Sequence, residues 1–287
     1  MTTNGSATSV GVVTIAAGRR DHLRRQMQSI ARQDLIPDRY VVVDLGGDDP
    51  RSCFVDGVSP TVVPLPVTGE LPLSRARNVG AAAADTDVTI FLDVDCVADP
   101  HLVRRYRDAC IERPGVHAGP VGYLPEDAPA TVEPDELRAV SRYQPGRPTP
   151  ATALHRTTRI ELFWSLSFAT DRASWLRSGG FDERFVGYGG EDTDFARRID
   201  SASMPIWFSG GPEAFHQWHP VDSPPVQHLT AICRNARLFH RLWGEWPMRG
   251  WLEQFARDGL IDWSPDGDVC ERRPTTSDAA ASANLSA

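Results

Sequence analysis

The feature that most constrains the fold is an alternation of buried strands with amphipathic helices over residues 10–124. Apolar segments of strand length recur, and apolar side chains at helical spacing follow them, as Leu23, Met27, Ile30 and Ala31 do after the first strand. This alternation predicts an α/β fold with a mostly parallel central sheet and helices on both faces. The predicted strands are VGVVTIA (10–16), RYVVVD (39–44), TVVPL (61–65), DVTIFLDVD (87–95) and GVHAGPVGYL (115–124). We expect Ser74 to cap the helix LSRARNVGAAAA, and Pro100 to be the first residue of the helix PHLVRRYRDACIER.

The alternation stops at Pro125, and residues 125–150 contain six prolines. Residues 125–150 are therefore predicted to be irregular, and such segments are often lids or binding loops. A lid would change its proteolytic cleavage when a ligand is added. Regular structure is expected again from Phe163, with short strands at PIWFS and EAFH and helices over about 226–246 and 249–258. We expect a disordered tail at 1–8, one domain made of two halves at 9–123 and 124–220, C-terminal helices at 221–263 and a disordered tail at 264–287.

Composition narrows the partners of the chain. Its formal net charge is −8, and 41% of its 287 residues are hydrophobic. The acidic balance disfavours a nucleic-acid partner. The five cysteines form no CxxC pair, which indicates free thiols in a reducing compartment. With no signal-peptide pattern and no apolar run near the ~20 residues of a membrane helix, we expect a cytoplasmic protein. Peripheral membrane contact stays open, and the oligomeric state is unknown.

Two acids follow the strand IFL directly. Asp93 and Asp95 alternate with Val94 where ligand sites of α/β sheets lie, beyond the carboxyl ends of the strands. Acids in this position can share a Mg²⁺ or Mn²⁺ ion whose other ligands are phosphate oxygens. The alternative is an acidic pair that only caps a turn, and the sequence gives the two readings similar weight.

Three further positions have both a functional and a structural reading. Asp44 can accept a hydrogen bond from a base or ribose, or it can form the turn before Gly46. Arg75 and Arg77 in a first helical turn suit a phosphate, or they are surface arginines. His216 can complete a metal site with Asp95, or it is a core histidine. A zinc pair of His216 and His219 is disfavoured, because no third ligand lies in that register.

The stretch GYGGED ends in Glu191 and Asp192 at the start of a predicted helix. Acids favour the first turn of a helix without any function. The glycines, among them Gly189 and Gly190, support a second reading, because backbone without Cβ atoms can approach a sugar closely.

These motifs together resemble a family-2-type glycosyltransferase of the GT-A fold, with a second half similar to galactosyltransferase and chondroitin-polymerase catalytic domains. The matching pieces occur in family order over residues 10–220: VTIAAGRRDHLRRQMQSI, VVVDLG, LSRARNVGA, FLDVDC, GGFDERFVGYGGEDTDFARRI and AFHQ. The DxD motif alone is weak. GYGGED followed by FHQ is more specific.

The resemblance implies that residues 9–123 are a nucleotide-sugar-binding half and that residues 124–220 are the acceptor-binding and catalytic half of the same domain. It also implies a role for each matching residue. Asp192 is implied as the catalytic base, with Glu191 holding a sugar, and Asp95 and His216 as ligands of Mn²⁺ or Mg²⁺. The implied partners are a nucleotide-sugar donor, most often UDP-linked, and an acceptor with a hydroxyl group on a glycan, lipid or small molecule. The implied contacts of the nucleotide sugar are Ala16, Gly18, Arg19, Asp44, Arg77, Asp93, Val94, Gly189 and Gly190.

The expected reaction is an inverting hexosyl transfer, because one carboxylate base is present and no covalent nucleophile is. Two alternatives remain. A nucleotidyltransferase that makes nucleotide sugars usually has a glycine-rich loop after the first strand, where this chain has AAGRR. A non-catalytic sugar-binding module is expected to lose Asp95, Asp192 or His216, and all three are present.

Overall fold

The computed structural model describes residues 8–271. The chain forms two compact units, and the second is made of two separate stretches of sequence. The first unit comprises Met1–Val186 and Glu191–Pro220, and the second comprises Gly187–Gly190 and Val221–Ala287.

The first unit contains twelve of the described strands and six of the described helices. In chain order they are β1 (Val10–Ala16), α1 (Arg20–Ala31), β2 (Arg39–Asp44), β3 (Thr61–Pro64), α2 (Leu73–Ala84), β4 (Val88–Leu92), β5 (Cys96–Ala98), α3 (Leu102–Glu112), β6 (Val116–Ala118), β7 (Val121–Tyr123), α4 (Pro134–Val140), β8 (Arg142–Tyr143), β9 (His155–Arg156), β10 (Ser167–Asp171), α5 (Arg172–Ser178), α6 (Glu191–Ser201), β11 (Ile206–Phe208) and β12 (Ala214–His216).

The central sheet has eight strands in the order β3-β2-β1-β4-β10-β6-β11-β9. Strands β3, β2, β1 and β4 are parallel, β10 runs antiparallel to β4 and β6, and β11 is parallel to β6. The prediction of an α/β fold with a mostly parallel sheet is confirmed. The carboxyl ends of β1, β2 and β4 lie side by side, because Ala16 pairs with Asp44 and Val13 with Phe91.

Helices cover both faces of this sheet, as predicted. Alternate residues of each strand enter two separate cores, since successive side chains of a strand point to opposite faces. Ile90 and Leu92 of β4 join the core under α1 and α3, whereas Phe91 joins the core under α2 and α6. Because both faces of the sheet are buried, the sequences of β1, β2 and β4 are nearly continuous apolar runs.

A smaller sheet of four strands, in the order β5-β12-β7-β8, lies in the same unit. Strand β5 begins directly after the DxD motif. Its neighbour β12 places His216 opposite Cys96, and on its other side β12 places His216 opposite Tyr123. This register brings a histidine that is distant in sequence next to Asp95.

Two predicted helix starts are wrong. Helix α2 begins at Leu73 after Pro72 without a side-chain cap, so Ser74 lies inside the helix, where it is buried. Helix α3 begins at Leu102. Pro100 instead lies in a turn in which the Asp99 side chain accepts the backbone N–H of His101 and the Asp99 carbonyl accepts the N–H of Leu102. The hydrogen bond to the Asp99 side chain favours this turn over a helix that starts at Pro100.

Two further expectations need correction. Residues 125–150 are not irregular throughout, because α4 and β8 lie within them and Leu137 of α4 is fully buried. The stretch GVHAGPVGYL forms two strands, β6 and β7, that belong to different sheets. Pro120 cannot donate a ladder hydrogen bond, and Gly119 approaches the carbonyl of Pro212 too closely to carry a side chain.

The second unit contains helices α7 (Leu229–Trp243) and α8 (Arg249–Arg257) and a two-stranded sheet of β13 (Ile261–Trp263) and β14 (Val269–Glu271). Its apolar core is built from both helices and both strands, with Ile232, Phe255 and Val269 among its buried side chains. The expected tail at 264–287 is therefore wrong for β14. Residues 272–287, and 1–7 of the expected tail at 1–8, lie outside the described residues.

The segment Gly187–Gly190 is fixed within the second unit by α7 and α8. The buried Asn235 amide donates to the backbone carbonyl of Gly189 at 2.8 Å. Gly189 has a φ of 91°, and a Cβ at this position would lie 2.7 Å from the sulfur of Met248. Glycine at 189 is therefore required by both conformation and packing.

Among the helices that the structure describes, none has both the length and the apolar character needed to cross a membrane.

Candidate active site

The DxD motif forms a tight turn at the carboxyl end of β4. The Asp93 N–H donates to the carbonyl of Leu166, and the Cys96 N–H donates to the carbonyl of Asp93 at 2.8 Å. The buried amide of Gln26 on α1 donates to the Asp93 carbonyl at 2.6 Å. Its oxygen accepts from the Thr14 hydroxyl and the Tyr40 hydroxyl, both at 2.8 Å. Gln26 therefore links β1, β2 and the DxD turn through buried hydrogen bonds.

Asp95, His216 and His219 form a cluster of three possible metal ligands. One donor atom from each lies within 4.8 Å of the other two. Nε2 of His216 is 3.6 Å from Oδ1 of Asp95, and Nε2 of His219 is 3.4 Å from Oδ2 of the same carboxylate. The expectation that Asp95 and His216 come together agrees with this geometry. The expectation that the two histidines lack a third ligand is wrong, because Asp95 supplies it.

The electrostatics of this cluster suit a cation. Burial disfavours the charge of Asp95, but the hydrogen bond with His219 and the positive charge of Arg19 hold the pKa of Asp95 below its usual range. Burial lowers the pKa of His216, so its ring is neutral near pH 7 and has a lone pair to offer a metal. Two imidazoles and one carboxylate form a donor set that divalent first-row transition metals accept.

Arg19 contacts the Asp95 carboxylate directly. It has a left-handed backbone with a φ of 57° and directly precedes α1. Gly18, just before it, donates its N–H to the carbonyl of Gly46 in the loop after β2. The loops after β1 and β2 therefore meet at the sheet edge, and Arg19 extends from there to the DxD turn.

Arg77 joins the DxD turn to the acids of α6. Its Nη2 is 3.3 Å from Oδ1 of Asp93, and its Nη1 is 3.4 Å from Oε1 of Glu191. The side chain is buried, and its guanidinium lies over the ring of Phe181. Burial works against the charge, yet the surrounding acids Asp93 and Glu191 hold the pKa of Arg77 above its ordinary value.

Glu191 and Asp192 begin α6, as predicted. Burial raises the pKa of Glu191, and the neighbouring Asp192 raises it further. Burial also raises the pKa of Asp192, against the opposing effect of Arg77. Oδ1 of Asp192 accepts the backbone N–H of Thr193 at 2.7 Å, which orients the carboxylate. Carboxyl groups with raised pKa values beside a buried arginine are typical of catalytic sites.

The remaining predicted residues divide between the two units. Ala16, Gly18, Asp44 and Val94 lie at the carboxyl edge of the first unit's sheet, and Ala16 and Val94 are buried. Asp44 accepts the N–H of Gly46 at 2.9 Å, which is the turn-forming interaction of its structural reading. Gly189 and Gly190 belong to the second unit, and both have left-handed backbones.

Two residues, His219 and Gln26, are not predicted from the sequence as parts of the site. His219 lies close to Asp95, which is distant in sequence, and only the pairing of β12 with β5 shows that the two residues are neighbours. Gln26 lies on the apolar face of α1. A polar residue on such a face is the signal that could have found it, because a buried amide needs hydrogen-bond partners.

Comparisons with known proteins find relatives of this chain in sequence and in fold. Residues 150–218 match the profile of a family described as the N-terminal domain of galactosyltransferase. A validoxylamine A glucosyltransferase of Streptomyces hygroscopicus subsp. limoneus is 30% identical over 240 residues, which cover 71% of this chain and 51% of that protein. The protein of the same name from S. hygroscopicus subsp. jinggangensis is 31% identical over 174 residues, or 50% of this chain and 40% of that protein. The chain spans about half the length of the curated relatives that it matches.

Solved structures with a similar fold include TarS of S. aureus and GalNAc-T7. TarS residues 1–349 in complex with UDP superpose with a TM-score of 0.57 at 15% identity, covering 82% of this chain and 72% of that chain. GalNAc-T7 with UDP, GalNAc and Mn²⁺ gives a TM-score of 0.56 at 14% identity, covering 90% of this chain and 58% of that chain. At these identities the likeness establishes the fold. The chain therefore has the GT-A fold, and its sequence is similar to those of glycosyltransferases.

Proposed function

We propose that the chain is an inverting, metal-dependent glycosyltransferase that moves a hexose from a UDP-linked donor to an acceptor hydroxyl. The observation that carries this proposal is the DxD turn, where two groups of residues meet. The possible ligand atoms of Asp95 and two histidines lie within 4.8 Å of one another. Asp93 contacts Arg77, which also contacts Glu191. The names of the relatives support a glycosyl donor, and the UDP complexes of TarS and GalNAc-T7 support UDP as its nucleotide.

Asp95, His216 and His219 would hold the metal ion. Their two imidazole nitrogens favour Mn²⁺ over Mg²⁺, because Mg²⁺ prefers a shell made entirely of oxygen. The Mn²⁺ in the solved complex of GalNAc-T7 supports this choice. When bound, the ion supplies a Lewis acid that stabilises charge on the leaving diphosphate.

Asp192 is proposed as the general base that takes the proton of the acceptor hydroxyl as its oxygen attacks C1 of the donor sugar. Burial raises the pKa of this carboxylate and so strengthens it as a base. Glu191 is proposed to hold a sugar hydroxyl, and its contact with Arg77 fixes its orientation. With a single base and no covalent intermediate, the configuration at C1 inverts.

The edge of the sheet is proposed to bind the nucleotide. Ala16, Gly18 and Asp44 would contact the base and ribose. Arg19 and Arg77 carry positive charge beside the DxD turn, where the diphosphate would lie. With the Asp95 carboxylate holding a metal ion, Arg19 would be available to contact phosphate oxygens.

A thermal-shift experiment with UDP, GDP and ADP, each with and without Mn²⁺, tests the binding part of this proposal. We expect UDP with Mn²⁺ to raise the Tm, because a ligand of the folded state at about 100 times its Kd adds about 2.7 kcal/mol of stability. The absence of a metal-dependent shift with every nucleotide would overturn the proposed function.

The variant Asp192→Asn tests the chemical part. We expect it to keep its affinity for UDP and Mn²⁺ while turnover falls about 10²–10⁴-fold, the usual contribution of a general base. Turnover within a few-fold of the original enzyme would remove Asp192 from this role. Asp200→Asn on the exposed end of α6 is the matched control and should leave turnover unchanged.

A further inference from the structure

Arg147 is a buried cation to which the proposed chemistry assigns no part. Only 7% of its surface is exposed, and among the residues that the structure describes neither Nη1 nor Nη2 has a hydrogen-bond partner. Its guanidinium lies 4.4 Å from the centre of the Trp164 ring. Buried charged groups are normally paired, so an arginine left with two unused donors requires an explanation.

The backbone places this arginine beside the candidate active site. Trp164 lies two residues before Leu166, whose carbonyl accepts the Asp93 N–H. The segment that carries the Trp164 ring therefore passes along the DxD turn. The charged or titratable groups that act on Arg147 are Tyr123, Asp192, Tyr106 and Cys96. The Tyr123 ring in turn lies 5.0 Å from the ring of His216.

The surroundings do not neutralise the charge. The Tyr106 hydroxyl accepts the Gly119 N–H and shares a hydrogen bond with the Ser167 hydroxyl, and it is uncharged near pH 7 because burial raises its pKa. Asp192 is the one carboxylate among these four groups, and Thr193 and Arg77 also act on it. A second anion is therefore the group that this cation lacks.

We propose that Arg147 binds phosphate oxygens of the donor's diphosphate. This inference rests on the proposed function. Guanidinium groups match phosphate geometry and bind it through paired, charge-assisted hydrogen bonds. A cation at this position would stabilise the leaving diphosphate together with the metal held by Asp95 and the histidines. Both nitrogens are covered by protein atoms, so an anion reaches them only when the side chain rotates off the Trp164 ring.

The test compares the affinities of UDP and uridine for the full chain at saturating Mn²⁺. Isothermal titration calorimetry gives the Kd of UDP, and competition of uridine with bound UDP gives the Kd of uridine. For Arg147→Gln we expect the Kd of UDP to rise at least tenfold, roughly the effect of losing one charged hydrogen bond, while the Kd of uridine changes less than about twofold. Arg147→Lys should lie between the two, because it keeps the charge but loses the planar pair of donors.

A matched control and a stability measurement separate binding from folding. Arg156→Gln, at an exposed position of β9, should leave both affinities unchanged. The Tm of Arg147→Gln without nucleotide should equal or exceed that of the original protein, because the variant removes an unpaired buried charge. An unchanged Kd for UDP, or an equal loss for UDP and uridine, overturns the proposal for Arg147. Failure of the original protein to bind UDP overturns the proposed function instead.

Discussion

The Arg77 side chain contacts both groups of acids in the site, through Asp93 of the DxD turn and Glu191 of α6. The sequence predicted its place in the first part of a helix near the nucleotide, because basic residues at a helix start suit phosphate. It could not predict the contact with Glu191, which lies 114 residues further along the chain. A guanidinium can reach two carboxylates at once through separate nitrogens, whereas an ammonium group cannot hold both in this fixed geometry.

The variant Arg77→Lys tests this bridging role. We expect turnover to fall about 10²-fold, because a displacement of the acids by about 1 Å from productive geometry has an effect of that size. Arg75→Lys is the matched control, since Arg75 is exposed on the same helix two residues earlier. Steady-state kinetics with saturating donor and Mn²⁺ would measure both variants. Equal turnover in the two variants would show that the charge of Arg77 suffices without the bridge.

The cluster of Asp95, His216 and His219 was predictable only in part. The residues alone left His216 either as a partner of Asp95 in a metal site or as a core histidine, and the resemblance to known motifs favoured the metal site. His219 could be judged only by its spacing to His216. Its contact with Asp95 depends on a strand pairing between β5 and β12, and such pairing between distant segments cannot be read from local spacing.

At the level of elements, the packing of α2 on the sheet sets the position of Arg77. Gly80 lies one turn after Arg77 on this helix, and a Cβ there would lie 2.3 Å from Cγ1 of Val13 and 3.1 Å from Cγ2 of Val43. The helix therefore sits on β1 and β2 as closely as backbone allows. Residues three apart share a face of a helix, so any shift at Gly80 is passed to Arg77.

We expect Gly80→Ala to lower the free energy of unfolding by about 1–3 kcal/mol, the usual cost of overpacking a core. Turnover should fall as well, because the helix that carries Arg77 must move outward. Gly250→Ala is the control: its Cβ would meet nothing within 4 Å on α8, so stability should stay the same or rise by up to about 1 kcal/mol. Chemical denaturation measures both. If the free energy of unfolding of Gly80→Ala were unchanged, the helix and the sheet would have adjusted to the added methyl group without loss of stability.

Element identity was predictable along most of the first unit, because buried strands and amphipathic helices have distinct periods. Strand β1 and strand β2 have the predicted bounds, 10–16 and 39–44. Errors fell where side chains compete with the helix for backbone donors, as Asp99 does before α3. They also fell in the proline-rich segment, where α4 is only seven residues long and one buried leucine anchors it.

At the scale of the whole molecule, the division into two units is the feature that the sequence did not reveal. Residues 187–190 looked like part of the catalytic half, because glycines beside acids suggest close approach to a sugar. Their hydrogen bonds instead go to α7, where the Asn235 amide donates to the carbonyls of Gly189 and Tyr188. No local pattern in GYGG indicates a partner that lies 46 residues later.

The variant Asn235→Ala tests whether the second unit fixes the start of α6. Loss of these buried hydrogen bonds is expected to destabilise the protein by about 1–3 kcal/mol. We expect turnover to fall about tenfold, since Glu191 follows Gly190 directly, while the Kd of UDP changes less than about twofold. Gln254→Ala is the control, because the described hydrogen bonds of its side-chain amide go only to Arg257 and Asp258 at the end of α8. Unchanged turnover in Asn235→Ala would show that α6 is held by the first unit alone.

Because the segment Gly187–Gly190 belongs to the second unit, it also affects how chimeras of this protein can be built. A chimera that exchanges only the residues after Pro220 with those of a relative would leave Gly187–Gly190 facing a foreign α7 and α8. A graft of the second unit must therefore carry two pieces, the short glycine-rich one and the long C-terminal one.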